Sequence, residues 1–299
     1  MTDTPLVSIA LCTYNGAKYL KQQIDTLLNQ TYTNIEIVIT DDQSSDDTLS
    51  ILEQYAAADS RIIIHKNEKN LGYAKNFEKA IHLCKGKYIA LSDQDDIWAL
   101  NKIELLVNAI GNALLIYHDS EFVDNEEQSL GKMSDVLNMY SGNDPLALVF
   151  DNCVSGHSCM FKAELLPQLG PFNPKLFHDW WIAFVAANKG SIVYLNEVLV
   201  KYRRHHEAIT TILTANMKVA KVKQKFPELN IPWIEHCSTF KGKRQVVIKQ
   251  VLDNYDKKGL KSNLKFFFFL VRYLKPLFFT KKKSDGSKFN YARKMAFRK

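Results

Sequence analysis

Apolar residues along the first 120 positions fall into short runs that alternate with segments of helical periodicity. Short β-branched runs bounded by turn residues predict buried strands, and apolar residues recurring every three or four positions, as from Leu20 to Leu28, predict helices. Strand–helix–strand repetition with short connections predicts an α/β fold, with a mostly parallel sheet covered by helices on both faces. The predicted strands are 6–12, 34–40, 61–65, 87–91 and 113–118, and the helices between them include 72–84 and 101–110.

The pattern becomes less regular between residues 120 and 210, where glycines and prolines break the chain into many turns. Residues 153–161 and 191–203 predict two further strands, and a helix is expected to begin near Asp179. From about residue 211 onward the sequence is helical and basic, which predicts a helical C-terminal extension.

Charge is distributed unevenly along the 299 residues. Residues 257–299 carry fourteen Lys or Arg against one Asp, a net charge of +13, which leaves −6 for the rest of a chain whose total is +7. Five scattered cysteines without a C-x-x-C pair indicate a reduced, intracellular setting. The sequence shows no secretory signal and no run approaching the roughly 20 apolar residues of a spanning helix.

The segment 264–283 mixes aromatic residues with lysines and predicts an interfacial anchor on an anionic membrane. An apolar helical face running from Phe266 to Phe278 would enter the lipid, although Pro276 should kink or end that helix. The alternative is that these aromatic residues pack on the body of the protein or on a second subunit. Nucleic acid is a poor partner for the tail, because the domain that precedes it is acidic.

Polar clusters follow three of the predicted strands at their carboxyl ends, where ligands bind in parallel sheets. Hard divalent cations such as Mg²⁺ prefer carboxylate oxygens, and an Asp-x-Asp pair places two of them on one side of an extended chain. The alternative for each cluster is a solvated loop whose aspartates cap the next helix. The clusters are Thr13-Tyr14-Asn15, Asp41-Asp42 and Asp93/Asp95/Asp96.

The order of these motifs resembles that of family 2 glycosyltransferases, which have the Rossmann-like GT-A fold. The resemblance covers about residues 5–210 and rests on "VSIALCTYNGAKYL", "NLGYAKNFEKAI" and "GKYIALSDQDDIW". The "DQDDIW" form is similar to that of rhamnosyltransferase-like members that build bacterial surface polysaccharides. It implies a catalytic domain over 1–210, with a nucleotide-binding half to about 120 and an acceptor-binding half over 121–210, followed by a C-terminal region over 211–299.

The resemblance also implies roles for residues of the first half. Thr13, Tyr14 and Asn15 would line the nucleotide pocket, with Tyr14 beside the base. Asp42, with Asp41 nearby, would bind the base. Asp93 would contact the nucleotide and the metal, and Asp95 would be the principal ligand of Mn²⁺ or Mg²⁺.

In the second half, Asp179 of "FHDWW" matches the position of the family's catalytic base. An inverting transfer needs a carboxylate to take the proton of the acceptor hydroxyl. Trp180 and Trp181 would raise the pKa of that carboxyl by desolvation and stack on acceptor sugars. Without the resemblance, a simple helix cap is the favoured interpretation of Asp179.

The segment "KYRRHHEAIT" resembles the family's YR-x-H motif near the end of the catalytic domain. Arg203 or Arg204 would neutralise phosphate charge, and His205 would ligate the metal, although the second histidine, His206, leaves that choice open. His157 is an expected acceptor contact, with a packed core histidine as the equal alternative.

The sequence therefore predicts an inverting glycosyltransferase with a nucleotide-diphosphate sugar donor and a lipid-linked saccharide acceptor. The expected location is the cytoplasm, peripheral to the inner face of the cell membrane. The alternatives are a nucleotidyltransferase or other nucleotide-sugar enzyme on the same sheet, and a non-catalytic nucleotide-sugar-binding scaffold. A dinucleotide-dependent dehydrogenase is disfavoured, because no G-x-G-x-x-G follows the first strand.

Overall fold

A computed structural model describes residues 4–204 and 226–297 of the chain. Its strands lie close to the predicted positions in the first 120 residues, where the buried apolar runs are. The strands are β1 (Val7–Thr13), β2 (Ile35–Asp41), β3 (Ile62–Lys66), β4 (Tyr88–Ser92), β5 (Ile97–Trp98), β6 (Leu115–Val123), β7 (Ser129–Lys132), β8 (Cys159–Lys162) and β9 (Ile192–Arg203).

Helices follow most strands of the first half and make up most of residues 226–297. The helices are α1 (Ala17–Leu28), α2 (Thr48–Ala58), α3 (Tyr73–Leu83), α4 (Lys102–Ala109), α5 (Met133–Val136), α6 (Leu166–Leu169), α7 (His178–Lys189), α8 (Phe226–Thr239), α9 (Gln245–Tyr255), α10 (Leu260–Arg272), α11 (Leu274–Leu277) and α12 (Asp285–Ala296). Short 3₁₀ turns occupy Pro145–Leu148, Gly156–Ser158 and Ala163–Leu165.

One sheet runs through the molecule in the order β3-β2-β1-β4-β8-β6-β9-β5, with β7 paired to β6. Strands β3, β2, β1 and β4 run parallel to one another, as the sequence predicts, so their carboxyl ends share one edge. Beyond β4 the sheet is mixed: β8 runs antiparallel to β4 and β6, whereas β9 runs parallel to β6. The α/β fold with flanking helices is thus confirmed.

Two hydrophobic cores cover the two faces of the sheet. Alternate residues of β1 enter different cores, with Ile9 and Leu11 on one side and Ala10 and Cys12 on the other. Period-2 alternation in a strand buried on both faces requires an almost continuous apolar run, which is what the sequence of β1 provides.

Residues 153–161 depart from the prediction of a continuous strand. The chain instead forms the 3₁₀ turn Gly156–Ser158, and only Cys159 onward joins the sheet as β8. The turn backbone lies beside β4, and it faces the same edge of the sheet as the acidic cluster.

The C-terminal helices pack against the body, and this corrects the expected membrane-facing surface. Phe266, Leu270, Leu277 and Phe278 are buried in the larger core, and the ring of Phe278 meets that of Phe150 edge-on at 5.2 Å. Burial of this apolar surface stabilises the folded chain. Among residues 4–204 and 226–297, no helix combines the length and apolar character needed to cross a bilayer.

Candidate active site at the carboxyl edge of the sheet

The loop after β1 is fastened to the end of β2. Thr13 and Asp41 are register partners, and the Thr13 hydroxyl donates to Asp41 Oδ2 at 2.8 Å. Asn15 has a left-handed backbone (φ 49°), and its side-chain oxygen accepts from the Ser45 amide at 2.8 Å. Tyr14 is left 51% exposed at the rim, so its ring is free to meet a planar ligand group.

Gln94, the middle residue of the D-x-D motif, ties the acidic loop to the loop after β1. Its amide oxygen accepts from the Tyr14 N–H at 2.9 Å, and its amide nitrogen donates to the Tyr14 carbonyl at 3.0 Å. A Cβ on Gly16 would lie 2.2 Å from that amide oxygen, so a larger residue at position 16 would displace the Gln94 amide. Sequence reasoning missed this role, because a lone glutamine in a loop carries no distinctive signal.

Asp42 is 3% exposed and serves the loop before α3. Its Oδ1 accepts from Asn67 Nδ2 and the Leu71 N–H, both at 2.7 Å, and its Oδ2 accepts from the Gly72 N–H at 2.9 Å. Three internal donors leave this carboxylate little capacity for a base, since it offers about four lone-pair positions. Base binding by Asp42 stays a prediction that would require one remaining acceptor position.

Three side chains gather beyond the end of β4. Within the described part of the chain, Asp93, Asp96 and His157 form a group whose ligand atoms lie within 4.8 Å of one another. His157 Nδ1 is 3.8 Å from a carboxylate oxygen of each aspartate. His157 is thus placed beside the acidic cluster, and this site of two carboxylates and an imidazole suits a divalent cation.

Asp96 has the most unusual environment in this group. Its side chain is fully buried, and neither carboxylate oxygen has a hydrogen-bond partner among the described residues. Burial raises the pKa of Asp96 well above its ordinary value, and the charges of Asp95 and Asp93 raise it further. An orphaned buried carboxylate of this kind fits a site that gains a cation.

The predicted metal ligands are only partly brought together. Asp93 belongs to the group, whereas Asp95, which is half-buried, does not. The sequence marks Asp96 only as a member of the acidic cluster, whereas in the structure a carboxylate oxygen of Asp96, like one of Asp93, lies 3.8 Å from His157 Nδ1. His205 and its neighbour His206 lie outside the described residues.

Asp179 lies in the first turn of α7 and faces the turn Gly156–Ser158. Its Oδ2 accepts from the Gly156 N–H at 3.0 Å and its Oδ1 from the Trp180 N–H at 2.6 Å. Burial raises the pKa of Asp179 to about 7, and the charge of Asp93 adds to this although both N–H groups oppose it. A carboxyl with a pKa near neutrality is suited to accept a proton.

The two tryptophans of "HDWW" serve packing. Trp181 is 6% exposed, and its indole N–H donates to the Leu169 carbonyl, so its assignment to acceptor binding is corrected: the ring is a core residue. Trp180 stacks on Trp233 of α8 with ring centroids 4.4 Å apart and donates to the Leu148 carbonyl at 2.6 Å. Trp180 is half-buried, and its contact with an acceptor stays a prediction.

Arg203 and Arg204 have partners away from the acidic cluster. The Arg203 guanidinium is 3% exposed and pairs with Glu127 at 3.1 Å. Arg204 lies over the ring of Phe122, 5.2 Å from its centroid. Phosphate binding by Arg203 or Arg204 stays a prediction.

His178 is a second residue that the sequence gave no reason to select. It is buried, stacks on Phe77 at 4.0 Å, and has no hydrogen-bond partner for either ring nitrogen among the described residues. Burial lowers its pKa to about 4. The ring is therefore neutral at physiological pH and borders Gly156 and Asp179.

Residues 8–167, more than half of the chain, match the profile of Glycosyl transferase family 2. The chain belongs to this family. An "Uncharacterized glycosyltransferase" of Haemophilus influenzae is 30% identical over 75% of this chain and 74% of its own. An Escherichia coli relative, 29% identical over 77% of this chain and 85% of its own, is named "UDP-Glc:alpha-D-GlcNAc-diphosphoundecaprenol beta-1,3-glucosyltransferase WfgD".

Solved structures similar to this family 2 glycosyltransferase share its fold at low sequence identity. Residues 1–349 of S. aureus TarS in complex with UDP-GlcNAc superpose with a TM-score of 0.61 at 16% identity, over 97% of this chain and 88% of that one. The mannosyltransferase PcManGT of Pyrobaculum calidifontis, in complex with GDP-Man and Mn²⁺, gives 0.54 at 16% identity, over 99% and 74%. At these identities the likeness establishes the GT-A fold alone.

Proposed function

We propose that this glycosyltransferase moves a sugar from a nucleotide-diphosphate sugar to a hydroxyl of a lipid-linked saccharide, with inversion, during cell-surface polysaccharide synthesis. The observation that carries the proposal is the pairing of Asp179, whose pKa is about 7, with the carboxylate–histidine group beyond β4. The E. coli relative, whose name specifies a diphosphoundecaprenol-linked sugar, supports a diphosphate-linked lipid acceptor.

In this proposal Asp179 is the general base. Its carboxylate takes the proton of the acceptor hydroxyl while the hydroxyl oxygen attacks the anomeric carbon from the face opposite the nucleotide. The bond from that carbon to the phosphate oxygen breaks, and the nucleoside diphosphate leaves with the electron pair. The Gly156 N–H holds Asp179 Oδ2 and so fixes the direction of the carboxylate.

Asp93, Asp96 and His157 are the described residues that would hold Mn²⁺ or Mg²⁺. When bound, the cation supplies positive charge to the diphosphate leaving group. Apart from that, the chain's own contribution is to gather two carboxylates and an imidazole at one rim and to hold Asp179 against the turn that carries His157. Asp95 and His205 complete the proposed ligand set from the family resemblance.

The test of this reaction is a panel of UDP-, GDP- and dTDP-sugars with Mn²⁺ or Mg²⁺ and a saccharide diphosphate-lipid acceptor. We expect release of the nucleoside diphosphate, one per sugar transferred, and a product of inverted anomeric configuration. Release of pyrophosphate would instead indicate a nucleotidyltransferase. Tight donor binding without any turnover across the panel would indicate a binding scaffold, and either result would refute the proposal.

We further propose that the protein is peripheral to the inner face of the cell membrane through α10, by a face other than the one expected from sequence. Leu260, Leu264 and Phe268, spaced by four residues, are 71%, 41% and 64% exposed. The exposed Lys261 and Lys265 lie next to this stripe, and α10 contains no acidic residue. A mixed apolar and basic face suits the interface of an anionic bilayer.

Liposome sedimentation tests this face. The double substitution L264S/F268S should lower the fraction bound to vesicles containing phosphatidylglycerol by about tenfold or more, because it removes most of the inserted apolar area. Lys261→Gln should weaken binding about fivefold, and only for anionic vesicles. Val246→Ser, at a 69% exposed apolar position on α9, is the matched control and should bind as the wild type does. Unchanged binding by L264S/F268S would exclude this face.

A further inference from the structure

Lys102, the first residue of α4, has an unusual place for a lysine. Its side chain is 0% exposed, and its ammonium nitrogen lies 3.1 Å from the ring centroid of Trp98. The same nitrogen donates to the backbone carbonyl of His157 at 2.6 Å. Burying an ammonium group costs free energy unless it is hydrogen-bonded and its charge is compensated by an opposite charge. These contacts must therefore offset the large free energy of desolvation of the Lys102 ammonium.

Compensation comes from the acidic group beside it. Burial lowers the pKa of Lys102, and the charge of Asp96 is the strongest influence that opposes this, with Asp93 contributing in the same direction. The ammonium and the orphaned carboxylate of Asp96 therefore stabilise each other inside the protein.

His157 connects the acidic group to the rest of the site. Its ring faces Asp93 and Asp96, and its Nε2 meets the Ser120 hydroxyl at 2.9 Å. The opposite side of the residue, its carbonyl, is the acceptor for Lys102. The orientation of the ring thus depends on where the 3₁₀ turn that carries it is held.

The same turn holds the candidate base. The N–H of Gly156, one residue before His157, donates to Asp179 Oδ2 at 3.0 Å. A shift of the turn would move the His157 imidazole relative to the carboxylates. It would also move the Gly156 N–H, which orients the Asp179 carboxylate. The two parts of the site are therefore joined mechanically through two consecutive residues.

We propose that Lys102 is a positioning residue for sugar transfer: its ammonium anchors the His157 carbonyl and so fixes the turn that presents the His157 ring to the cation and the Gly156 N–H to Asp179. The proposal rests on the proposed function for its catalytic readout. It predicts that the loss of this one hydrogen bond affects metal affinity and turnover together, although Lys102 touches neither substrate.

Lys102→Met is the direct test, because methionine has a similar length and suits the face of Trp98. We expect the Mn²⁺ concentration for half-maximal activity to rise about 10–100-fold, as for other losses of a partner that orients a metal ligand. At saturating Mn²⁺, kcat should remain at least about tenfold below the wild type, since Asp179 is no longer aimed, while KM for the donor changes by less than about threefold.

Leu106→Ala is the matched control on the same helix, since the Leu106 side chain is fully buried in the core that also contains Trp98 and, being apolar, cannot hold the His157 carbonyl. It should lower the melting temperature but leave kcat and the Mn²⁺ dependence unchanged. Ser158→Ala, which removes a 2.9 Å hydroxyl bond to the Ser155 carbonyl within the turn, should reproduce the Lys102→Met signature more weakly. Ser158→Ala also tests the proposal if Lys102→Met does not fold.

Wild-type values of kcat and Mn²⁺ dependence in a folded Lys102→Met protein would overturn the proposal, as would wild-type values in Ser158→Ala if Lys102→Met is not recovered. A wild-type enzyme that releases no nucleoside diphosphate refutes the proposed function instead. In that case the dissociation constant for Mn²⁺, measured directly on wild type and variants, still decides whether Lys102 positions His157.

Discussion

Asp179→Asn should lower kcat by about 10²–10⁴-fold while the affinity for the nucleotide sugar stays within about threefold. Asparagine keeps an oxygen for the Gly156 N–H but cannot take the acceptor's proton. For the wild type, kcat/KM should rise with pH, reach half of its maximum near about pH 7, the pKa of Asp179, and level off above that pH, because only the ionised carboxylate acts as a base. A cation bound beside Asp93 would lower the pKa of Asp179 and so shift this rise in kcat/KM to lower pH. Initial rates from pH 5 to 9 measure both effects.

The melting temperature separates catalysis from capping at the same position. The pKa of Asp179 is higher in the folded chain than in the unfolded one, so its contribution to stability is lost as pH rises towards about 7. Asp179→Asn should therefore be at least as stable as the wild type at pH 8. Asp144→Asn, which changes a carboxylate that accepts from Leu146 at the start of a 3₁₀ turn, is the control and should retain full activity. Full activity in Asp179→Asn would exclude Asp179 as the base.

Removal of the divalent cation, or of its proposed ligands, is the second change with a large expected effect. Chelation should lower kcat by about 10²-fold or more, since the cation stabilises charge on the leaving diphosphate by several kcal/mol. Asp93→Asn and His157→Gln should each raise the Mn²⁺ concentration needed for half-maximal rate. A Mn²⁺ titration of the initial rate measures these shifts.

Asp96 gives this prediction a second readout, because burial disfavours its charged carboxylate and a bound cation would favour it. Asp96→Asn should abolish the rise in melting temperature that Mn²⁺ produces in the wild type. His82→Gln, which changes an exposed histidine on α3, should respond to Mn²⁺ as the wild type does. An identical response to Mn²⁺ in Asp93→Asn, Asp96→Asn and the wild type would exclude this group as the metal site.

The first half of the fold could be predicted from the sequence because its signals are local. The predicted strand 34–40 reads NIEIVIT, and the observed β2, Ile35–Asp41, begins and ends one residue later. A strand buried on both faces is mostly apolar and β-branched, so a short run of consecutive residues is enough to locate it in the sequence. The convergence of polar clusters at one edge follows from the topology in the same way.

The site is less accessible from sequence, since its contacts join residues that are far apart in the chain. Asp96 and His157 are 61 positions apart, and Lys102 meets the carbonyl of His157 across 55 positions. Whether a histidine packs in a core or faces an acidic group depends on the tertiary path of a turn. The sequence pattern at 153–161 predicted a strand, and the 3₁₀ turn that places His157 was therefore missed.

The aromatic tail illustrates the same division. Composition alone identified a basic and aromatic C-terminal region, and the sequence predicted that a helical face containing Phe266 and Phe278 would enter the lipid. The tertiary structure buries both residues against the body and exposes Leu260 and Phe268 instead.

By itself, then, the sequence determined the α/β architecture, the edge of the sheet at which polar side chains gather and the residue types found there, because strand burial and connection length are local properties. Only the tertiary structure decided which carboxylate faces His157, that Trp181 belongs to the core, and that a buried lysine holds the turn between the two halves of the site. These outcomes depend on packing between segments that are far apart in the sequence. A local sequence pattern carries no information on the free energy of that packing.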